Sequence, residues 1–140
     1  MAFRQILEED AYIAGIAPNR VFLGFCPQNA DYPALAFRRI SMEQVQRALQ
    51  PQASALWLSR FVVYSIADGS QGYAKAAKLA LYVSRCLDGY RGLVLSSTLA
   101  NQYVMVKAIF QEDDQDDYDP DTKTNQSMSI FSVWHNQAST

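Results

Sequence analysis

Apolar residues recur at helical spacing in two parts of the chain. Residues 3–14 carry them at the three- and four-residue intervals of one helix face. Residues 71–87 repeat this pattern after Ser70, which is a suitable N-cap, and before Gly89, which is a suitable C-terminal stop. We predict a helix over each range. The buried stripe predicted for the second helix comprises Tyr73, Ala76, Ala77, Ala80, Val83 and Leu87.

Short branched and aromatic runs elsewhere predict strands. The predicted strands are residues 20–25, 34–40, 53–67, 93–97, 102–112 and 124–135. Residues 53–67 are apolar on both faces, which predicts a central strand, or one whose second face is covered by another subunit. Residues 41–50 fit two interpretations, because Ser41 and Gln44 resemble a helical capping box but a loop between strands serves equally well. We favour a loop with one or two helical turns.

The order of these elements favours an α+β domain over a doubly wound one, since only one predicted helix stands between strands. We expect a mostly antiparallel sheet of four to six strands with two main helices packed on one face. A length of 140 residues fits a single domain, predicted over residues 1–135, with a flexible C-terminal tail over 136–140. The residues predicted for the core are Trp57, Phe61, Val63, Ala80, Val83, Leu87, Val104, Val106, Phe131 and Val133.

Charge is distributed unevenly along the chain. Seven of the fourteen acidic residues lie in residues 112–121, so the remaining seven acids against twelve Lys and Arg leave the rest of the chain at +5. We predict that these ten residues form an exposed loop, because closely spaced carboxylates repel one another and are expensive to bury. The basic residues are dispersed, with only Arg38 and Arg39 adjacent, which argues against sequence-specific nucleic-acid binding.

Neither a membrane span nor a secretion signal is predicted. The longest uncharged apolar stretch, residues 93–106, contains Ser, Thr, Asn and Gln and is too short to cross a bilayer. Three acids at residues 8–10 stand where a signal peptide would be apolar. We therefore expect a cytosolic chain in which Cys26 and Cys86 are buried thiols rather than a disulfide.

Candidate chemistry is sparse. His135 is the only histidine, and we interpret it as a strand-end residue half in water rather than a catalytic base. Asp117, Asp119 and Asp121 have the alternating spacing of a calcium loop, but Thr122 and Met128 occupy the positions where that motif needs Gly and Glu. The sequence therefore predicts no enzyme, cofactor or metal site. A weak cation site at the acidic segment remains an alternative to a solvated loop.

Three stretches carry a family resemblance. The first is Arg-Val-Phe at residues 20–22, Pro-Gln at 27–28 and a strand that closes at Ser41. The second is Ser-Arg-Phe-Val-Val-Tyr-Ser-Ile-Ala at 59–67, followed by the alanine-rich helix. The third is Asp-Tyr-Asp-Pro-Asp-Thr at 117–122, leading into residues 129–135. In this order they resemble the small tail-completion, or tail-terminator, proteins of long-tailed bacteriophages. Relatives often alternate polar residues along the central strand, where this chain has Val62 and Tyr64.

The resemblance implies a structural virion protein without catalysis, assembled in the host bacterial cytoplasm. Such proteins form rings, commonly hexamers, that cap the tail tube, end its growth and join it to the head connector. The predicted partners are thus the chain itself, the tail tube protein and the head connector protein. Residues predicted to contact a neighbouring subunit or partner are Arg60, Val62, Tyr64, Asp113, Asp114, Asp116, Asp117, Asp119 and Asp121. The alternative function is a small cytosolic binding domain with a weak cation or ligand site at the acidic segment.

Overall fold

Three helices and six strands make up the described part of the chain. A computed structural model describes residues 2–27, 31–45, 56–95 and 103–136. The helices are α1 (Ala2–Glu9), α2 (Ala11–Ile16) and α3 (Gly72–Leu87). The strands are β1 (Val21–Leu23), β2 (Ala34–Gln44), β3 (Leu56–Asp68), β4 (Gly92–Leu95), β5 (Tyr103–Asp119) and β6 (Thr124–Asn136).

All six strands belong to one sheet in the order β1-β2-β3-β6-β5-β4. Neighbouring strands are antiparallel except β1 and β2, which are parallel. The predicted α+β fold with a mostly antiparallel sheet is confirmed. The apolar strand predicted over residues 53–67 is β3, and it lies between β2 and β6 as a central strand. Its residues 53–55 lie outside the described part.

Alternation along the strands divides the sheet into two faces. On one face, odd-numbered residues of β3 and β6 pack with the three helices in a single apolar core. Phe3 of α1 stacks on Phe61 of β3 with ring centroids 4.1 Å apart, and its ring also lies 5.5 Å from that of Phe37. The predicted core residues are buried except Trp57 and Val104, which are half-buried. Further fully buried residues were not among those predicted for the core: Leu7, Ile13, Leu35, Phe37, Leu79 and Ile109.

The N-terminal prediction of one continuous helix over residues 3–14 is wrong in one respect. The chain forms two short helices separated at Asp10. The carboxylate of Asp10 accepts hydrogen bonds of 3.0 Å from the backbone N–H groups of Tyr12 and Ile13. An aspartate that caps a new helix in this way stabilises a break rather than a helix interior.

Helix α3 confirms the prediction over residues 71–87, with differences at its start. It begins at Gly72, and Gln71 rather than Ser70 occupies the capping position without a side-chain hydrogen bond. A Cβ on Gly72 would lie 2.8 Å from Asn125 Nδ2 and 3.1 Å from the carbonyl oxygen of Ala67, so this close approach to β3 favours glycine. Gly89 has φ +81 just beyond the helix, as predicted for its stop.

The buried stripe of α3 is rotated slightly from the predicted one. Tyr73 and Ala77 are exposed, whereas Leu79 is completely buried. Alanine and tyrosine tolerate either environment, whereas a leucine that faces the sheet contributes more apolar area to the core. The packing of the larger side chain therefore decides which face of the helix is turned inward.

Two segments predicted as loops are strands. Residues 41–44, predicted within a loop with helical turns, continue β2 after a bulge between Arg39 and Ser41; residues 46–50 lie outside the described part. The acidic segment is also not a loop up to residue 119, because β5 pairs with β6 as far as Asp119. Only residues 120–123 form the turn. Backbone pairing with β6 outweighs the low strand propensity of aspartate. Asn136, predicted in the tail, pairs with Leu56.

Candidate assembly surface

The sheet face opposite the helices carries most of the predicted contact residues, and we call it the helix-free face. It is formed by even-numbered residues of β3 and β6 together with side chains of β2 and β5, and none of its β3 or β6 residues belongs to the main core. Its apolar members include Leu58, Val62, Tyr64, Ile66, Met128, Ile130, Trp134 and Phe110. Phe110 is 53% exposed, whereas Tyr64, Met128, Ile130 and Trp134 are half-buried. The face thus presents partly exposed apolar surface.

Arg60 lies at the centre of this face between two carboxylates. Its guanidinium Nε lies 3.4 Å from Glu112 Oε2 on β5, and its Nη1 lies 3.9 Å from Glu43 Oε1 on β2. Ser132, the residue paired with Arg60 on β6, has a small side chain that leaves room for the arginine to reach β5. Since all three charged side chains are more than a third exposed, these ion pairs orient the arginine but add little stability.

The other two predicted contacts on β3 differ in accessibility. Tyr64 is half-buried and shows part of its ring to solvent, whereas Val62 is only 2% exposed. Arg60 and Tyr64 can therefore touch a partner directly in this conformation. Because Val62 is buried, it influences such a contact only indirectly, by supporting the side chains that lie over it.

The acidic residues form a charged sheet edge. We call residues 112–119 the acidic edge, because β4 pairs with β5 only as far as Val106 and no other strand of the described part covers β5 beyond it. All of these residues are exposed except Asp119, which is half-buried; the predicted exposure of the segment is otherwise confirmed. Asp113, Asp117 and Asp119 are in register with the helix-free face, Asp114 and Asp116 with the helix side, and Asp121 lies in the turn.

Local hydrogen bonds order the acidic edge. The carboxylates of Asp113 and Asp117 accept hydrogen bonds of 2.8 Å from the N–H groups of Asp114 and Tyr118. Asp116 accepts from the hydroxyls of Tyr73, at 3.0 Å, and Ser127, at 2.9 Å. The hydrogen bond to Asp116 raises the pKa of the Tyr73 hydroxyl. Negative charge and capped N–H groups together protect an open edge from indiscriminate strand pairing.

The acidic segment does not bring its carboxylates together as a cation site would. No three His, Cys, Asp or Glu side chains of the described residues are grouped so that they could hold a metal ion. A groove of about 250 Å³ lies beside the turn, between residues 24–26 and the helix-free face, and Asp119 is the one acid that lines it. Alternation along β5 explains this, because successive aspartates point to opposite faces.

The opposite edge of the sheet is basic, and the predicted contact residues did not include it. Arg38 and Arg39 are exposed on β2 just past the end of its pairing with β1, and Arg20 immediately precedes β1. Among the described residues, none of the three forms an ion pair. The signal in the sequence was the one adjacent pair of arginines, placed in a predicted strand. We call Arg20, Arg38 and Arg39 the arginine edge.

His135 is hydrogen-bonded within the sheet. Its Nε2 lies 2.7 Å from Ser59 Oγ across the β3–β6 pair, and its Nδ1 lies 2.8 Å from the carbonyl oxygen of Asn136. Because a carbonyl only accepts, Nδ1 carries the proton and Nε2 accepts from the serine hydroxyl. A nucleophile must reach its substrate, and Ser59 is only 1% exposed. The pair therefore links two strands.

Stability should decline in mild acid because of this histidine. Burial lowers the pKa of His135 below its ordinary value of 6.5, with the charge of Arg39 acting in the same direction. The unfolded chain consequently takes up a proton more readily, so stability is complete above pH 6.5 and decreases as the pH falls towards the lowered pKa. We expect a lower urea midpoint at pH 5.5 than at pH 7.5. His135→Gln should reduce that difference; an unchanged difference in the variant would contradict this role.

The two cysteines are free thiols, as predicted, but both are half-buried rather than buried. Burial raises the pKa of Cys86 to about 12, and its Sγ lies 3.6 Å from the carbonyl oxygen of Ile6. Burial also raises the pKa of Cys26. Neither thiol is therefore activated as a nucleophile.

Comparison with known proteins gives the same family as the sequence motifs. The family described as "Tail completion protein gp17" matches residues 1–136. The chain belongs to this family. The family resemblance predicted from the sequence is thus confirmed, and membership gives the chain a structural role in the phage tail. No curated protein sequence matches the chain.

A solved structure shares the fold of this family member. A chain in the structure titled "Virion of native gene transfer agent (GTA) particle" superposes with a TM-score of 0.66, over 96% of this chain and 92% of that chain. The two sequences are 17% identical, so the likeness concerns the fold.

No helix in the described part of the chain has the length and apolar character needed to cross a membrane.

Proposed function

We propose that this protein completes the phage tail as a ring, hexameric by the family resemblance. The ring caps the tail tube, ends its growth and joins the tail to the head connector. The observation that carries the proposal is the family match over residues 1–136. In this proposal the partners are further copies of the chain, the tail tube protein and the head connector protein. The protein resides in the virion after assembly in the host bacterial cytoplasm and has no catalytic activity.

The surface chemistry of the chain supports self-assembly. A ring requires two different patches on each copy, one of which binds the other on the next copy. One sheet edge is acidic and the other carries three arginines, so two such patches with opposite charge are available. The helix-free face adds exposed apolar surface next to the acidic edge, notably Phe110, and Ile40 is exposed on β2 directly after Arg38 and Arg39. Electrostatic attraction between the edges would speed and orient the association of two copies, and burial of apolar surface would stabilise the resulting contact.

The mass of the protein in solution tests the proposed ring. Analytical ultracentrifugation or native mass spectrometry should give a closed oligomer of a single size, and this oligomer should bind purified tail tubes. Cosedimentation of the protein with purified tail tubes measures the proposed contact with the tail tube protein. A protein that stays monomeric at all concentrations, and whose melting temperature rises with calcium, would contradict the ring and favour the alternative of a cation-binding domain.

The acidic edge should matter for assembly rather than for folding. Asparagine at Asp113, Asp114, Asp116 and Asp117 removes four charges but keeps oxygen acceptors for the local hydrogen bonds. We expect an intact monomer fold, weaker assembly and loss of much of its salt dependence, because attraction between exposed charges is screened by salt. The control is Glu8→Gln with Glu9→Gln, two exposed acids on α1.

Sedimentation at low and high salt measures this effect. If the four-asparagine variant assembles as the parent does at both salt concentrations, the acidic edge does not dock on a partner. It would then face the lumen, where negative charge keeps passing DNA from adhering, or it would remain solvated.

A further inference from the structure

We infer that copies of this chain join their sheets edge to edge, with the outer edge of β1 in one copy pairing antiparallel with the acidic edge of β5 in the next. This inference rests on the proposed ring and specifies its contact. Among the described residues, β1 is open on its outer side, and so is β5 from Glu112 onward. On that side of β5, β4 pairs as far as Val106, and Asp88 and Gly89 then hydrogen-bond to the backbone of Gln111 and Ile109. Each copy therefore offers one edge of each kind.

The register of the sheet places the two edges at the same height. A row is here the set of residues that are paired side by side across the strands. Leu23 pairs with Phe37, and this row continues through β3 and β6 to Asp114 on β5. The row that starts at Val21 ends in the same way at Asp116. In a closed ring, copies are related by rotation without displacement along the axis. If the strands run along that axis, β1 of one copy meets residues 114–116 of the next.

Strand direction agrees with this arrangement. β1 is parallel to β2, and three successive antiparallel pairings lead from β2 through β3 and β6 to β5. β5 therefore runs opposite to β1. When a second copy is placed beside the first with the same orientation, the new pair is antiparallel and extends the sheet with its existing hydrogen-bond geometry.

The charges on the two edges match row by row. Arg38 lies in the row that ends at Asp113, and Arg39 lies in the next row, which ends at Gln111 beside Glu112. Arg20, one residue before Val21, falls in the row of Asp117 when the β1–β2 pairing is continued by one residue. Arginines thus flank β1 on both sides, opposite the acids that flank residues 114–116. The exposed guanidinium groups of Arg38 and Arg39 compete for the carboxylates that cap the edge N–H groups in the free chain, whereas that of Arg20 is half-buried and donates to the carbonyl oxygen of Ile16.

Alternative pairings are disfavoured by the same features. Two acidic edges repel one another, which opposes pairing of β5 with β5 in a two-fold dimer. Leu23 is 52% exposed at the outer end of β1, and pairing with the next copy would remove its apolar surface from water. The contact is therefore between unlike edges, which is the kind that closes a ring.

Intermolecular disulfides test this contact. In a chain with Cys26→Ser and Cys86→Ala, one batch carries Leu23→Cys and a second carries Asp114→Cys; both positions are exposed and share a row. After mixing, oxidation should produce a covalent dimer, whereas each batch alone should not. Directly opposed residues on paired strands lie within the Cα separation that a disulfide spans. The matched control replaces Asp114→Cys with Asp121→Cys in the turn, and the dimer should be lost.

The outcomes separate this inference from the proposed function. A ring by mass without the mixed disulfide overturns the edge contact but leaves the ring. A dimer from Asp114→Cys alone shows β5–β5 pairing and also overturns the inference. A second variant avoids dependence on cysteine chemistry: Arg38→Glu should weaken assembly, and adding Asp113→Arg, which lies in the same row, should restore it. Failure of that restoration, with all chains folded, would equally overturn the contact. Absence of any oligomer in the parent chain overturns the proposed ring itself.

Discussion

Replacing Phe61 with alanine should lower the free energy of unfolding by about 3–5 kcal/mol. The ring is 6% exposed at the centre of the sheet and is stacked on Phe3 with an interplanar angle of 6°. Its removal deletes buried apolar area and leaves a cavity between β3 and α1 that cannot close without moving the helix. The measurement is a urea titration at a concentration where the protein is monomeric, since assembly would add its own stabilisation.

The control for this change is Phe25→Ala. Phe25 is 78% exposed, so its removal should alter stability by less than about 0.5 kcal/mol. A loss below about 1 kcal/mol for Phe61→Ala, within the range of surface changes, would show that the helix-side face of β3 is not the core.

Leu7→Ala should cost about 2–5 kcal/mol, because this side chain is completely buried and belongs to the main core. The change tests whether the short helix α1 is an integral part of the fold. A helix of eight residues is marginal by itself and depends on packing of its apolar side. Denaturant unfolding measures the loss, and circular dichroism reports whether helix content falls with it.

Arg4→Ala on the same helix is the matched control. Arg4 Nε lies 2.8 Å from Glu8 Oε1, but both side chains are nearly half exposed, so the pair should contribute less than about 0.5 kcal/mol. Equal losses for Leu7→Ala and Arg4→Ala would contradict the packing assigned to α1.

Most of the fold could be predicted because the decisive residues are apolar and regularly spaced. The two-faced apolar pattern of β3 implies a central strand, and the alanine-rich spacing of α3 implies a packed helix. The errors occur where a pairing partner decides the outcome. Asp113 to Asp119 have poor strand propensity, but the adjacent β6 provides a complete ladder for them. The break at Asp10 depends on one capping side chain, which periodicity does not detect.

The candidate surface was less predictable than the fold. The acidic segment was evident from composition, but its role as a sheet edge depends on where β4 stops. The arginine edge depends on the parallel pairing of the short β1 with β2, which a three-residue strand does not reveal in sequence. Complementarity between the two edges emerges only when the register across the strands that separate them is known. A surface of this kind is a property of the sheet rather than of any one segment.

The proposed function is that this protein completes the tail and joins it to the head. Electron microscopy of lysates from a phage that lacks only this gene tests the claim most directly, with a plasmid-borne copy as the control that restores normal particles. We expect full heads together with unattached or overlong tails in the absence of the protein. Normal virions, with tails of ordinary length attached to heads, would contradict it.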